Sequence, residues 1–288
     1  MNAEESVWTP ERSIGYPLIT ELDLSADGEW VAYTVREPLL TEDESRFVTH
    51  IYRVPVNGGE PLRLTFGSAS NSAPRISPDG RHIAFLSNRD DKKRNLYVMQ
   101  MAGGEAWPLT KVEKDVTAFD WAPDGQRLAM VMPAPDSEEK KAAKSAKDDA
   151  ILWGVDHDRA RLWLVGLVPG GAERPEPLSL TDDHIHVTGF AWAPDGGALA
   201  VVHQPTPCAD DWKASRLAVV ELGEGEHQLR DLGTIGTSEP SCRARGRQVI
   251  CSSGGSAPSW IFHGPKVNLN CPAICVASLV LVSQRLTP

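Results

Sequence analysis

Hydrophobic and polar positions recur along this chain in a long repeat. Four segments align without gaps, and each has an apolar strand on either side of a tight polar turn. Each second strand is apolar on both faces, which is typical of a strand covered on two sides by stacked sheets. The segments are LSADGEWVAYTV (24–35), ISPDGRHIAFLS (76–87), WAPDGQRLAMVM (121–132) and WAPDGGALAVVH (192–203).

The turn of each segment has a composition that predicts a β-hairpin. Proline fixes φ at the first central position, aspartate can bond the nearby backbone, and glycine tolerates a positive φ. A degenerate fifth copy fits at 242–252. The predicted turn glycines are Gly28, Gly80, Gly125, Gly196 and Gly246.

A second repeated piece follows each of the four clear hairpins, and it predicts two further strands around a Gly-rich turn. HIYRVPVNGGEPLRLT (50–65) and NLYVMQMAGGEAWPLT (95–110) are examples. The turn glycines are spaced by 52, 45, 71 and 50 residues, and a four-stranded propeller blade needs about 40–50. The sequence therefore predicts an all-β fold over residues 1–253. We expect an incomplete β-propeller of four-stranded blades, with about four clear blades and a degenerate fifth.

An insertion at 133–158 accounts for the long spacing, and it falls between the second and third strands of the third blade. Its core, SEEKKAAKSAKDDA, has no apolar side chain larger than alanine. Such a stretch predicts a solvated loop. A basic binding patch is disfavoured because four nearby carboxylates offset the lysines: Glu138, Glu139, Asp148 and Asp149.

The sequence changes character near position 240. All 39 acidic residues lie at or before Glu239, and four of the five cysteines fall between 242 and 275. We predict that 254–288 is an atypical tail, either frame-shifted or disordered, and a diverged final blade stays open as the alternative. Translating the other frames of the underlying DNA distinguishes a frame change from divergence.

Composition disfavours some classes of binding partner and indicates a cellular compartment. The formal net charge is −10, which disfavours nucleic-acid and anionic-membrane partners. The start, MNAEESVWTPERS, lacks the basic and apolar regions of a secretory signal. The longest apolar stretch, 271–282, is too short to span a bilayer as a helix. Five cysteines without an export signal indicate free thiols in a reducing compartment, so we expect a cytoplasmic protein.

Several residues are candidates for a functional site. Alternate strand residues share a face, so His184 and His186 could hold a metal, but their place before a blade strand favours a structural role. Cys271 and Cys275 lack a second Cys/His pair at zinc spacing. No cofactor or metal site is predicted. Trp121 and Trp192, just before two of the turns, are predicted to pack between blades.

The repeat of apolar strand, Ser/Ala-Pro-Asp-Gly and apolar strand, followed by Gly-Gly-Glu and Leu-Thr, resembles the blades shared by TolB and prolyl-oligopeptidase-family serine peptidases. The lysine-rich insertion with DAILWGVDHDRARLWLVGL and LSLTDDHIHVTGFAWAPDG resembles the acylaminoacyl-peptidase and dipeptidyl-aminopeptidase branch. The resemblance covers about residues 8–235. It implies a propeller that precedes an α/β-hydrolase domain, caps its active site and admits short peptides.

The catalytic signature of that family is absent from these 288 residues. The nearest matches to Gly-x-Ser-x-Gly, at 236–240 and 254–258, end in proline. No acidic residue follows Glu239 and the only later histidine is His263, so the order Ser, Asp, His cannot follow either serine. We therefore predict no catalytic residue.

Two functions are open. The chain resembles the substrate-gating propeller of a serine peptidase, which would meet its peptide substrate through a catalytic domain missing here and would be inactive alone. The alternative is a stand-alone TolB-like or WD-like propeller that binds protein partners, since the fold hosts many functions. In either case, exposed blade faces would favour self-association.

Overall fold

The computed structural model describes residues 13–41, 44–90, 92–148, 150, 156–171, 174–223 and 227–234. It also describes the backbone of 241–245, 248–252 and 260–263. The chain divides into two compact units. Unit one contains Met1–Val116 and Gly166–Glu176, and unit two contains Thr117–Val165 and Pro177–Pro288.

Unit one contains two four-stranded sheets, in each of which successive strands are neighbours. The first consists of β1 (Leu18–Leu24), β2 (Trp30–Leu40), β3 (Ser45–Pro55) and β4 (Leu62–Arg63). The second consists of β5 (Asn71–Ile76), β6 (His82–Ser87), β7 (Asn95–Gln100) and β8 (Trp107–Pro108).

Unit two contains two more such sheets and a three-stranded one. The third sheet consists of β9 (Ala118–Trp121), β10 (Arg127–Pro133), β11 (Ala160–Gly166) and β12 (Leu178–Ser179). The fourth consists of β13 (His186–Trp192), β14 (Ala198–Gln204), β15 (Arg216–Glu221) and β16 (Gln228–Thr234). The fifth consists of β17 (Ser241–Arg245), β18 (Gln248–Ser252) and β19 (Trp260–His263).

The four clear repeats thus form four antiparallel four-stranded sheets, and the prediction of four-stranded blades is confirmed for them. The degenerate copy forms the β17–β18 hairpin, in which Cys242 lies opposite Cys251. Its predicted turn residue, Gly246, lies outside the described residues. β19 falls within the predicted tail 254–288 and pairs with β18, and the rest of that tail also lies outside the described residues.

The four clear turns have the geometry that their composition predicts. In each, the glycine N–H donates to the carbonyl three residues earlier at 2.9 Å, and the glycine φ lies between 67° and 76°. The aspartate carboxylate accepts the N–H two residues later, as Asp79 does from Arg81 at 3.0 Å. A side chain in place of the glycine would strain the backbone, because L-residues rarely adopt this conformation.

The second strand is covered on both faces in the second, third and fourth sheets, whereas in β2 only Ala32 and Thr34 are buried. Ile83, Ala84 and Phe85 in β6 have no exposed surface, and Leu86 retains 2%. In unit one, Ala32 and Ile51 of the first sheet pack against this strand and its neighbours. Burial of these side chains between sheets removes apolar surface from water and stabilises the fold.

A buried threonine closes each of the first three sheets. Its hydroxyl accepts a hydrogen bond from a backbone N–H of the third strand, at 2.8–3.0 Å. The bond ties the third strand to the segment that follows the short fourth strand, where the backbone pairing of the two strands has ended. It explains the recurring Leu-Thr of the sequence, and the three threonines are Thr65, Thr110 and Thr181.

The insertion lies between β10 and β11, as predicted, but it is not a loop throughout. Residues Glu138–Ser145 form an α-helix, α1, none of whose residues is buried. The Ser137 side chain caps it by accepting from Lys140 N at 3.2 Å. Acidic residues in its first turn and Lys144 in its last suit the helix dipole. The prediction was wrong here because capping and charge placement can stabilise a helix that lacks an apolar face.

Two further points concern the thiols and membrane-spanning helices. Cys208 is a free thiol, as predicted, and the other four cysteine side chains lie outside the described residues. No helix in the part of the chain that the structure describes combines the length and apolarity needed to cross a bilayer.

Candidate functional site

The two tryptophans beside the turns are packing residues. Trp121 and Trp192 are each 5% exposed. Trp192 packs in a core that joins residues of the third and fourth sheets. Its indole Nε1 donates to the carbonyl of Asp120 at 3.4 Å. The prediction of packing between blades is confirmed for Trp192, whose ring is not available to stack on a ligand.

The two histidines of the DDHIH segment have different surroundings. The His184 side chain is 86% exposed, and its Nε2 lies 3.7 Å from Asp183 Oδ1. The half-buried His186 uses Nδ1 to accept a hydrogen bond from Ala160 N at 3.0 Å. Burial lowers the pKa of His186, and the charge of Arg159 lowers it further. His186 therefore joins the fourth sheet to the third, which is a structural role.

No described residues form a cluster of three or more His, Cys, Asp or Glu side chains that could hold a metal ion. A third histidine, His50, is buried and places Nδ1 3.5 Å from the Thr65 hydroxyl. The partner of His50 is a threonine and that of His186 is a backbone N–H, so neither histidine makes the serine–histidine bond of a hydrolase triad. The serine segments 236–240 and 254–258, and the cysteines Cys271 and Cys275, lie outside the described residues.

The insertion forms one wall of a cavity of about 250 Å³ in unit two. The lining consists of 133–137, Lys140, 157–159, Arg161 and Asp183. These segments are the end of β10, the start of α1, the start of β11 and the link into β13. The cavity thus depends on both the insertion and the junction of two sheets. We call Lys140 with its partners Asp136 and Asp158 the helix side, and Arg159, Arg161 and Asp183 the strand side.

The helix side of this cavity is electrically balanced. Lys140 Nζ lies 2.5 Å from Asp158 and 3.4 Å from Asp136. Lys144 also pairs with Asp136. The hydrogen bond to Asp158 raises the pKa of Lys140. Because each charge on this side has a partner, the ion pairs hold α1 against the base of the insertion.

The strand side of the cavity is cationic. Arg159 donates from Nε to the Pro205 carbonyl at 2.7 Å. Arg161 places Nη2 3.7 Å from Asp183 Oδ2, while its buried Nε has no acceptor in the part of the chain that the structure describes. This side can recognise an anion, and the described residues on it do not pair a nucleophile with a base.

The sequence pattern indicates His184 and His186 as candidates, but it does not indicate Arg159 and Arg161, which line the cavity. The available signal was their spacing, because residues two apart on an extended chain point to the same side. Nothing in the sequence reveals that Asp183 and Lys140 line the same cavity, since those residues are far apart along the chain.

No protein-family model matches this chain. It is 27% identical over 192 residues to the uncharacterized peptidase YuxL of Bacillus subtilis, which covers 62% of this chain and 28% of that protein. It is 31% identical over 126 residues to dipeptidyl-peptidase 5 of Aspergillus fumigatus, with 38% and 17% covered. It is 34% identical over 97 residues to the Tol-Pal system protein TolB of Alcanivorax borkumensis, with 33% and 22% covered. The chain therefore spans less than a third of each relative's length.

Two solved structures show the fold. The acylaminoacyl peptidase of Pyrococcus horikoshii matches with a TM-score of 0.58 at 16% identity, over 89% of this chain and 39% of that one. The β-propeller domain of the trilobed protease from Pyrococcus furiosus matches with a TM-score of 0.52 at 14% identity, over 87% and 69%. The all-β fold, with four four-stranded antiparallel sheets, matches the propeller domains of these peptidases. The chain is homologous to peptidases with propeller domains, and the homology covers only the propeller part of those proteins.

Proposed function

We propose that this chain is the substrate-gating propeller of a serine peptidase that acts on short peptides, of the acylaminoacyl or dipeptidyl type. The observation that carries the proposal is the homology to YuxL and dipeptidyl-peptidase 5, which is confined to their propeller part. In the family that the sequence resembles, the propeller caps the hydrolase domain and excludes folded proteins. The blades of this chain would do the same for a catalytic domain.

We also propose that the 288 residues do not cleave peptides by themselves. They contain no Gly-x-Ser-x-Gly, and no carboxylate follows Glu239 to orient a histidine. Purified chain should leave acyl-aminoacyl and dipeptidyl p-nitroanilides intact and should not react with a fluorophosphonate. Turnover that the fluorophosphonate abolishes would contradict this part of the proposal.

A chimera tests gating directly. The chain would replace the propeller of the Pyrococcus horikoshii acylaminoacyl peptidase, ahead of that enzyme's hydrolase domain. We expect the chimera to cleave short chromogenic peptides and to spare casein, while the isolated hydrolase domain attacks both. A chimera that degrades casein as fast as the isolated domain would show that this chain does not gate.

The similarity to TolB favours a second candidate, a propeller that binds protein partners without any catalytic domain. This candidate predicts one stoichiometric partner in a pull-down from the native host, and a chimera without size discrimination. The peptidase candidate predicts the reverse. The two experiments together therefore separate the two functions.

A further inference from the structure

We propose that the cavity beside the insertion binds the carboxylate of a short peptide through Arg161 and Arg159. The identification of the carboxylate as a peptide C-terminus rests on the proposed peptidase function. The binding of a carboxylate at this place rests on the geometry of the cavity alone. The site lies within unit two and needs no residue from another chain.

The first step of the argument is the unmet hydrogen-bonding capacity of Arg161. A guanidinium has five N–H donors in a planar fork, and buried donors in folded proteins nearly always have acceptors. The Arg161 side chain is 23% exposed, yet its Nε is fully buried and has no acceptor among the described residues. Since this Nε is closed to solvent, a ligand would reach Arg161 through its Nη atoms, of which Nη2 makes, within the described part of the chain, only the 3.7 Å pair with Asp183.

The second step is the imbalance of charge on the strand side. No carboxylate of the described residues lies within 4 Å of Arg159, whose recorded hydrogen bond goes to a neutral carbonyl. Asp183 is 67% exposed and lies at 3.7 Å from Arg161, which is a long ion pair. The two guanidinium groups therefore carry more positive charge than their neighbours neutralise.

The third step excludes a cationic ligand. The carboxylates on the helix side, Asp136 and Asp158, already bind Lys140, and Asp136 also binds Lys144. Their negative charge is already neutralised by these lysines, so they would attract an ammonium group only weakly. On the strand side, by contrast, the positive charge of Arg159 and Arg161 is not fully neutralised and can attract an anion. A carboxylate suits this side because it pairs with arginine through two parallel hydrogen bonds.

Size limits the ligand. Pockets for drug-sized ligands hold about 300–1,000 Å³, and this cavity holds about 250 Å³. It is large enough for the last one or two residues of a peptide, and because it is partly open to solvent, the preceding residues would extend outside it. We therefore assign the site to the C-terminal end of a short peptide.

Calorimetric titration of the full chain with alanyl-alanine and with its C-terminal amide tests the assignment. The acid should bind. The amide should bind at least roughly tenfold more weakly, because it lacks the charge that the guanidinium groups recognise. Raising the salt concentration should lower the affinity for the acid and leave the affinity for the amide unchanged. Equal affinities for the two peptides would overturn the proposal.

Acetate and inorganic phosphate separate the peptide from anions in general. Each should bind more weakly than alanyl-alanine, because neither fills the cavity. If either binds as tightly as the dipeptide, the peptide assignment is wrong. Since binding is measured without catalysis, failure here would leave the gating result of the chimera untouched, and a chimera that does not gate would leave the binding result untouched.

Variants test the role of Arg161. Arg161→Gln should lower the affinity for alanyl-alanine roughly tenfold or more. Arg161→Lys keeps the charge but loses the planar fork, so it should also bind weakly. Arg81→Gln removes the same charge from an exposed position and should bind as the wild type does. If Arg161→Gln does not fold, the lysine variant and the acid–amide comparison decide, and unchanged binding by Arg161→Lys contradicts the role of the fork.

Discussion

The carboxylate of Asp23 in β1 accepts a hydrogen bond from the backbone N–H of Ile76 in β5 at 2.9 Å. The bond joins the first strands of two neighbouring sheets. Asp120 stands at the same repeat position as Asp23, five residues before the turn glycine, and its carbonyl accepts from Trp192 in the next sheet. Neighbouring sheets within each unit are thus joined at the same place by polar as well as apolar contacts.

Replacing Asp23 should destabilise the protein. Asp23 is 4% exposed, so Asp23→Ala leaves the Ile76 N–H buried without this acceptor, at a cost of about 1–3 kcal/mol. Asp23→Asn keeps an oxygen and should cost less. Urea denaturation measures the free energy of unfolding, with the exposed Glu60→Ala as the control. An unchanged stability of Asp23→Ala would mean that the bond contributes nothing.

The buried threonines should matter through their hydroxyl groups. Thr110 is 2% exposed, accepts from Leu96 N and donates to Asn95 Oδ1, both at 3.0 Å. Thr110→Val keeps the shape but removes both bonds, so we expect a loss of about 1–3 kcal/mol in unfolding free energy. Thr234→Val, at an exposed strand end, should be close to neutral. Equal effects of the two substitutions would argue against the hydroxyl.

The turn glycines should be sensitive for a conformational reason. Gly80 has φ +72° and open space where a Cβ would be added, so Gly80→Ala costs backbone strain alone, about 1 kcal/mol. Gly80→Asn should cost less, because asparagine tolerates this conformation. Gly166→Ala also meets open space, without a positive φ, and should leave the melting temperature unchanged. A harmless Gly80→Ala would contradict the strained-turn explanation.

Stability should fall with acidification through the ordinary histidine range. Burial lowers the pKa of His50, His186 and His203 in the folded protein, so below a pH of about 6.5 the unfolded chain binds more protons. The contribution of these histidines is present above that pH and is lost as the pH falls towards their folded pKa values. The free energy of unfolding, measured from pH 7.5 to 5.0, checks the direction.

His186→Asn isolates one of these groups. Its side-chain oxygen can accept the Ala160 N–H that His186 Nδ1 accepts now, while the titrating ring is gone. The variant should lose part of the pH dependence and little stability at pH 7.5. His184→Asn, at an 86% exposed side chain, should follow the wild-type profile, and a matching loss there would point to a different cause.

The first sheet should promote self-association. Leu22 and Leu24 in β1 are 67% and 41% exposed, and Leu22 lies opposite Tyr33, whose ring stacks on Tyr52. Such an apolar row favours contact with a second copy. Light scattering should show oligomers, and Leu22→Lys should reduce them more than Leu178→Lys, at the 50% exposed Leu178 of the third sheet. A monomer at every concentration would contradict this expectation.

Most of the fold could be predicted because its signals are local. A Pro-Asp-Gly turn acts within four residues, and the burial of 83–86 follows from an apolar run that any reader of the sequence sees. The helix of the insertion could not be predicted in this way. One bond that stabilises this helix joins Lys140 to Asp158, 18 residues away. Ion pairs between residues so far apart along the chain produce no periodic pattern in the sequence.

The candidate cavity shows the same limit more strongly. His184 and His186 are metal-ligand candidates by residue type and spacing, but burial gives them different surroundings. Arg161 and Asp183 come together because β11 and the link into β13 are neighbours in space. The burial of the Arg161 Nε without an acceptor among the described residues depends on packing, and the residue type alone does not reveal it.

By itself, the sequence determined the repeat, the position of the turns, the strand count of each clear blade and the lack of a catalytic serine motif in these residues. Each depends on residue type and short-range spacing, which local conformational preferences translate directly into structure. Only the tertiary structure decided which side chains meet across sheets, as Asp23 meets Ile76 and Lys140 meets Asp158. The reason is physical: burial, ion pairing and unmet donors arise from contacts between residues that folding brings together over long stretches of chain.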